Sequence, residues 1–183
     1  MLKVAITGPE STGKSTLCEA LAKHFHTVWV EEYARSYLEN LPRAYNYTDI
    51  LHIAQMQMQE YELKKQQANQ IIFCDTELLV TKIWAEHAFG KCHAWILANL
   101  PKQDFDLYLL TYIDLPWQYD KLREHPHKRD FFWQWYLNEA KNLGWNYEII
   151  TGMCKERTQK AIQAIQELAN KRGILLNLAR DSQ

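Results

Sequence analysis

Short apolar runs recur along the chain at Leu2 to Thr7, Val28 to Glu32, Ile71 to Asp75, Leu107 to Thr111 and Tyr147 to Thr151. Each has the length and near-continuous apolar character of a strand buried on both faces, and a longer stretch of helical periodicity separates each from the next. That alternation predicts an α/β domain built on a parallel sheet. Behind the first run, Leu17, Ala20, Leu21 and Phe25 recur at helical spacing, and Thr48 to Asn69 reads as a long helix with Thr48 or Asp49 near its start. A further helix from about Glu156 to Arg172 precedes Gly173, and the closing residues, ending ARDSQ, are expected to fray. The one strongly charged irregular stretch, YDKLREHPHKRD from Tyr119 to Asp130, lies between the fourth run and a tryptophan-rich helix.

Composition narrows the partners more than the fold. With 183 residues, 47% of them hydrophobic and 23% charged, one globular domain spanning 1–183 is expected. A formal net charge of -1 leaves no electrostatic footprint for nucleic acid, and no basic block is present that would dock on an anionic membrane. Neither nucleic acid nor membrane is therefore expected as a partner. The apolar run in MLKVAITGPE is too short for a secretory signal, and no segment reaches the length of a membrane span. Cys18, Cys74, Cys92 and Cys154 are scattered without a C-x-x-C pair, which suits reduced thiols in a cytoplasmic protein. Seven Trp and ten Tyr are read mostly as packing residues, with a minority free to line a pocket.

The stretch GPESTGKST carries the first sign of chemistry. Gly8, Gly13, Lys14 and Ser15 fit the phosphate-loop spacing G-x-x-x-x-G-K-[ST], with a strand before and a helix after. Backbone amides from Glu10, Ser11, Thr12, Gly13 and on to Thr16 are placed to point at phosphate oxygens, helped by the dipole of the following helix. Lys14 is expected to reach the β- and γ-phosphates of ATP, and Ser15 to hold Mg²⁺. The third run ends in Asp75, where a carboxylate on the metal's water shell belongs; an Asp capping a helix that begins at Thr76 is the other reading.

Where the phosphate would go next is a separate question. The only NK dipeptide continues as Asn170, Lys171, Arg172, Gly173 and gives no guanine-reading N-K-x-D element, and a ring-forming ATPase normally needs a longer chain with a lid domain. Transfer to a small acceptor suits the rest of the chain better. EEYAR places Glu31, Glu32 and Arg35 at a strand's carboxyl end, where a carboxylate can take a proton from an attacking hydroxyl and an Arg can fix polar groups. The alternation of a strand sends the two glutamates to opposite sides, so either one can be the inward residue. Lys121, Arg123, Lys128 and Arg129 sit in the charged stretch as a mobile lid over about 118–132 would require, with Arg123 and Arg129 suited to phosphate oxygens by their planar forks. His125 and His127 flank Pro126 without a third ligand nearby, so zinc is not expected.

Taken together, GPESTGKSTL, VWVEEYAR, FCDTELLVTKIW, DLPWQYDKLREHPHKRDFF and YEIITG resemble, in order and spacing, the nicotinamide riboside kinase domain of the NadR proteins over nearly the whole chain. The resemblance implies a P-loop kinase-like parallel β-sheet flanked by helices in three layers. It also implies an enzyme that uses ATP and Mg²⁺ to phosphorylate the ribose 5'-hydroxyl of nicotinamide riboside. It supports Gly8 to Thr16 as the triphosphate site, Asp75 as the metal-side carboxylate and Arg123 with Arg129 as lid residues, and it supports Glu31 or Glu32 more loosely. No helix-turn-helix precedes the phosphate loop and no H-x-G-H element is present, so adenylyl transfer and DNA-binding repression are not expected. A flat cationic base favours aromatic faces, which makes Trp84 and Tyr33 candidates for the acceptor pocket, and the loop Gly152 to Arg157 is expected to frame adenine. A kinase for another nucleoside or nucleotide, and an ATP-binding regulator that transfers nothing, are the alternatives.

Overall fold

A computed structural model describes residues 1–176, and the expected fraying of ARDSQ lies outside them. Five parallel strands form the central sheet in the order β2-β3-β1-β4-β5: β1 is Leu2–Thr7, β2 Trp29–Val30, β3 Ile71–Asp75, β4 Leu107–Thr111 and β5 Tyr147–Ile150. β1, β3 and β4 are almost wholly buried, as their continuous apolar runs require. Against one face pack α1 (Lys14–His24) and α7 (Cys154–Lys171), through Leu17, Leu21, Ala161 and Ile165. Against the other pack α3 (Tyr47–Lys65), α4 (Leu78–Phe89) and α6 (Arg129–Asn142), through Ile50, Leu79, Ile83 and Trp133. Two short helices, α2 (Tyr33–Glu39) and α5 (Ala94–Asn99), complete the seven found among the described residues. Each fully buried Leu or Ile contributes roughly 1.5–3 kcal/mol, so the two apolar layers supply most of the drive to fold.

Several boundaries differ from those the pattern predicts. β2 is only two residues long because the chain turns at Glu32, which caps α2. α3 begins directly after Asn46, the first residue of a capping box in which Asn46 accepts from the Thr48 and Asp49 amides while the Asp49 carboxylate accepts from the Asn46 amide at 2.7 Å. It ends at Lys65, short of Asn69. β5 leaves Glu148 and Ile149 exposed, as an edge strand does. Among the described residues no helix is long and apolar enough to cross a membrane.

The sheet topology also fixes where a ligand can sit. Chain direction leaves β1 toward β3 on one side and β4 on the other, and open α/β sheets bind ligands beyond the carboxyl ends of the strands at such a switch point. The loop from Gly8 to Gly13 lies there.

Candidate active site

The loop after β1 owes its shape to two left-handed glycines and to its neighbour β4. Gly8 has φ +135°, and a Cβ there would meet the Thr111 hydroxyl at 2.7 Å and the Thr111 carbonyl at 2.8 Å, so only glycine lets the loop lie this close to β4. Gly13, at φ +76°, caps α1 and frees its amides toward the cleft. Thr12 and Thr111 hydroxyls lie 2.7 Å apart, fastening the middle of the loop to the sheet. Lys14 folds back along the loop and donates to the carbonyls of Gly8 at 3.1 Å and Pro9 at 2.9 Å.

Arg157, on the first turn of α7, draws the surrounding turns together. Its guanidinium donates to the carbonyls of Gly152, Thr12, Ile150 and Tyr112 and pairs with Asp114. Sequence reading had only the loop from Gly152 to Arg157; nothing local to Arg157 announces four carbonyl partners, one of them 145 positions away. Met153, Cys154, Arg157 and Thr158 line the same cleft as the phosphate loop. Cys154 is exposed, whereas Cys18 and Cys74 are buried free thiols.

Asp75 stands beside the loop at the end of β3, with its backbone opposite Ile6. Both carboxylate oxygens are buried, and among the described residues neither has a hydrogen-bond partner. Burial, and next the charge of Glu32, push its pKa up to about 7, while Lys14, Ser15 and Arg35 pull the other way. The capping alternative does not hold: Thr76 takes φ +68°, the helix starts at Leu78, and Glu77 is the cap, accepting from the Leu79 amide at 2.6 Å. Glu77 also accepts from the Thr7 hydroxyl at 2.9 Å, and its complete burial raises its pKa to about 7 as well.

Glu32 lines the cleft and Glu31 does not; Glu31 is exposed and offers only its backbone carbonyl, to Gln57 at 3.2 Å. Arg35 and Trp84 line the cleft too. Tyr33 lies outside the lining, its ring against Tyr37 and His52. Trp84 belongs to a run of α4 residues, Val80, Ile83, Trp84 and His87, spaced to face one way, and its ring meets Tyr45 edge-on with centroids 4.9 Å apart. Tyr45 and Gln57 had no place in the sequence reading, and Glu10 had one only for its backbone amide. Gln57 sits on the buried face of α3, where it joins the ends of β2 and β3.

The charged stretch drapes across the cleft. Arg123 lines it and donates to the Gln118 carbonyl at 2.7 Å, with the Ser11 hydroxyl 3.5 Å away. Arg129 is not among the lining residues: it begins α6 and donates to the carbonyls of Leu115 at 2.8 Å and Ser11 at 3.3 Å, tying the charged segment to the phosphate loop through backbone. Glu10 makes a second tie, accepting from the amides of Glu124 and His125; burial raises its pKa and those amides lower it. The whole cleft measures about 910 Å³, room for two small ligands placed end to end.

Fold, loop and cleft together define a P-loop nucleotide-binding protein of the kinase-like α/β type. A family model described as an AAA domain matches residues 3–157, and the chain belongs to that family. The trifunctional NAD biosynthesis/regulator protein NadR of Salmonella typhimurium and that of Escherichia coli are each 36% identical to it over 124 residues, 66% of this chain and 30% of theirs. The match thus spans under a third of those relatives' length. A crystal structure of a NadR protein in complex with NR superimposes with a TM-score of 0.77 at 24% identity, over 100% of this chain and 54% of that one. Thymidylate kinase from Ehrlichia chaffeensis follows the same fold with a TM-score of 0.61 at 14% identity, over 91% of this chain and 98% of its own. Deoxyadenosine kinase from M. mycoides with bound dCTP gives 0.62 at 14%, over 91% and 100%.

Proposed function

We propose that this protein is a kinase that transfers the γ-phosphoryl group of ATP to the ribose 5'-hydroxyl of nicotinamide riboside, giving nicotinamide mononucleotide and ADP. The observation that carries the reading is a single cleft lined both by the phosphate loop and by Glu32, Trp84 and Tyr45. A triphosphate on the loop amides and a nucleoside against the aromatic wall would meet between Lys14 and Glu32. The acceptor oxygen forms its bond to the γ-phosphorus as the bond to the β-phosphate oxygen breaks, and the hydroxyl proton passes to the Glu32 carboxylate.

Lys14, released from the Gly8 and Pro9 carbonyls, would follow the negative charge of the phosphates. Residues 118–132 act as the lid, with Arg123 neutralising charge on the transferring group and Arg129 holding the lid's base. The unpartnered oxygens of buried Asp75, next to the Ser15 hydroxyl, fit Mg²⁺, which binds through few protein oxygens. When bound, the ion supplies charge neutralisation at the phosphates and favours the ionised form of Asp75. The sequence similarity to the NadR proteins, and the fold shared with one in complex with NR, support the choice of acceptor. A cytoplasmic setting, where thiols stay reduced, suits a chain with four free cysteines.

The test is ADP release by the purified protein with ATP and Mg²⁺, first alone and then with nicotinamide riboside, other nucleosides and nucleoside monophosphates. Stimulation by nicotinamide riboside, with the mononucleotide identified by mass, is the expected result. Stimulation by another acceptor alone would keep the kinase and replace its substrate. No stimulation by any would favour an ATP-binding regulator.

A further inference from the structure

The acceptor end of the cleft has an uneven charge balance. Two arginines reach its wall, and both are neutralised from outside it: Arg35 by Asp120 at 3.0 Å, and Arg43 by two hydrogen bonds of 2.6 and 2.8 Å to Asp49. Of the other cations, Lys121 lines the cleft and lies 3.9 Å from Glu39, Arg123 lines it and donates to the Gln118 carbonyl, and Lys128 is not among the lining residues. Apart from Glu10, which accepts from the amides of Glu124 and His125, two carboxylates remain in the wall without a strong cationic partner among the described residues. One is Glu32, assigned above to the acceptor hydroxyl. The other is Glu124, whose nearest cation is the His125 imidazole at 3.8 Å, charged only when protonated.

Glu124 is held at both its side chain and its backbone. Its Oε2 accepts from the Tyr45 hydroxyl at 3.3 Å, and Tyr45 in turn sets its ring edge-on to Trp84. Its backbone amide donates to Glu10 on the phosphate loop at 3.2 Å. The carboxylate therefore stands at the rim of the aromatic wall, where it adds a fixed negative charge to ring faces that already favour cations.

We propose that Glu124 selects the acceptor by charge, favouring a nucleoside whose base is a flat cation over a neutral base of the same shape, with Glu10 as its positioning residue. The proposal rests on the kinase reading and adds to it the residue that reads the base. A neutral base gains only the aromatic contact; a cationic base gains the carboxylate as well.

The experiment measures kcat/KM for nicotinamide riboside and for its neutral 1,4-dihydro form, and takes their ratio in the wild-type protein, Glu124→Gln and Glu124→Lys. The wild type is expected to prefer the cation. The ratio should fall about fivefold in Glu124→Gln, the order expected of one half-exposed charge acting on a cation about 4 Å away in a water-like medium, and further in Glu124→Lys. Glu10→Gln should move the ratio in the same direction, a change that general loosening of the loop would not produce. A ratio in Glu124→Gln within about twofold of wild type would overturn the proposal, since a single charge at this range is worth more than that. If the protein transfers only to purine nucleosides, the acceptor reading fails, and the pair 1-methyladenosine and adenosine decides the charge selection by the same ratio. A protein that transfers to none of these acceptors overturns both.

Discussion

The side-chain amide of Gln57 donates to the backbone carbonyl of Asp75 at 3.1 Å, while its oxygen accepts from the Tyr33 amide at 2.7 Å. One buried side chain thus joins the strand that ends in Asp75 to the turn that carries Glu32. Replacing it with Leu keeps the bulk and leaves the Tyr33 amide and two carbonyls without their partner. Gln57→Leu should destabilise the protein by about 1–3 kcal/mol, seen as a lower urea midpoint with an unchanged slope.

Lys14 is the side chain best placed to follow phosphate charge, and its present bonds are only to loop carbonyls that other groups can solvate. Lys14→Ala should reduce transfer about a hundredfold or more and leave the far-ultraviolet circular dichroism and melting temperature near wild type. Turnover close to normal would remove Lys14 from the mechanism.

Glu31 and Glu32 are adjacent in sequence and differ in surroundings, since only Glu32 lines the cleft. Glu32→Gln should lower kcat by about a hundredfold or more, the range of a lost general base, and Glu31→Gln by less than about threefold. Equal, mild losses measured under saturating acceptor would argue against a single acceptor-side base.

Asp75 and Glu77 both have carboxyl pKa values raised to about 7 by burial, from ordinary values of 3.8 and 4.5. The folded state therefore holds protons that the unfolded chain has released, and stability falls as pH rises between about 4 and 7. Below that window the two groups cost nothing, and above it the full cost is present. Asp75→Asn should accordingly raise the melting temperature at pH 8 without nucleotide, by about 2–6 °C for a gain on the order of 1–2 kcal/mol, and the gain should vanish toward pH 4. Activity should be lost in the same variant. Adding Mg²⁺ and ADP should stabilise the wild type more at pH 8 than at pH 6, because the ion favours the ionised carboxylate.

The phosphate loop was legible because its chemistry is local: spacing, flanking strand and flanking helix lie within one short segment. Asp75 was legible as the end of a buried run. The choice between Glu31 and Glu32 was not, because β2 lasts only two residues and the chain turns before strand alternation can decide which points inward. Tyr33 was read as an acceptor aromatic from its neighbours, but α2 starts at that residue and carries its ring to Tyr37 and His52. Tyr45 and Glu124 escaped notice for the opposite reason. Each is unremarkable alone, and only the approach of residues 79 positions apart makes a wall of them. Arg129 shows a limit of reading side-chain type: its fork suits phosphate, and the fold directs it to two backbone carbonyls.

Arg157 sets how little of this chain can be removed before the nucleotide end comes apart. A fragment ending at Gly152 would keep all five strands and every residue of the loop from Gly8 to Thr16. It would also leave the carbonyls of Thr12, Ile150, Tyr112 and Gly152, and the Asp114 carboxylate, without the donor they share. The smallest working unit is therefore defined by a knot of carbonyls around one guanidinium, five residues past the last recognisable motif.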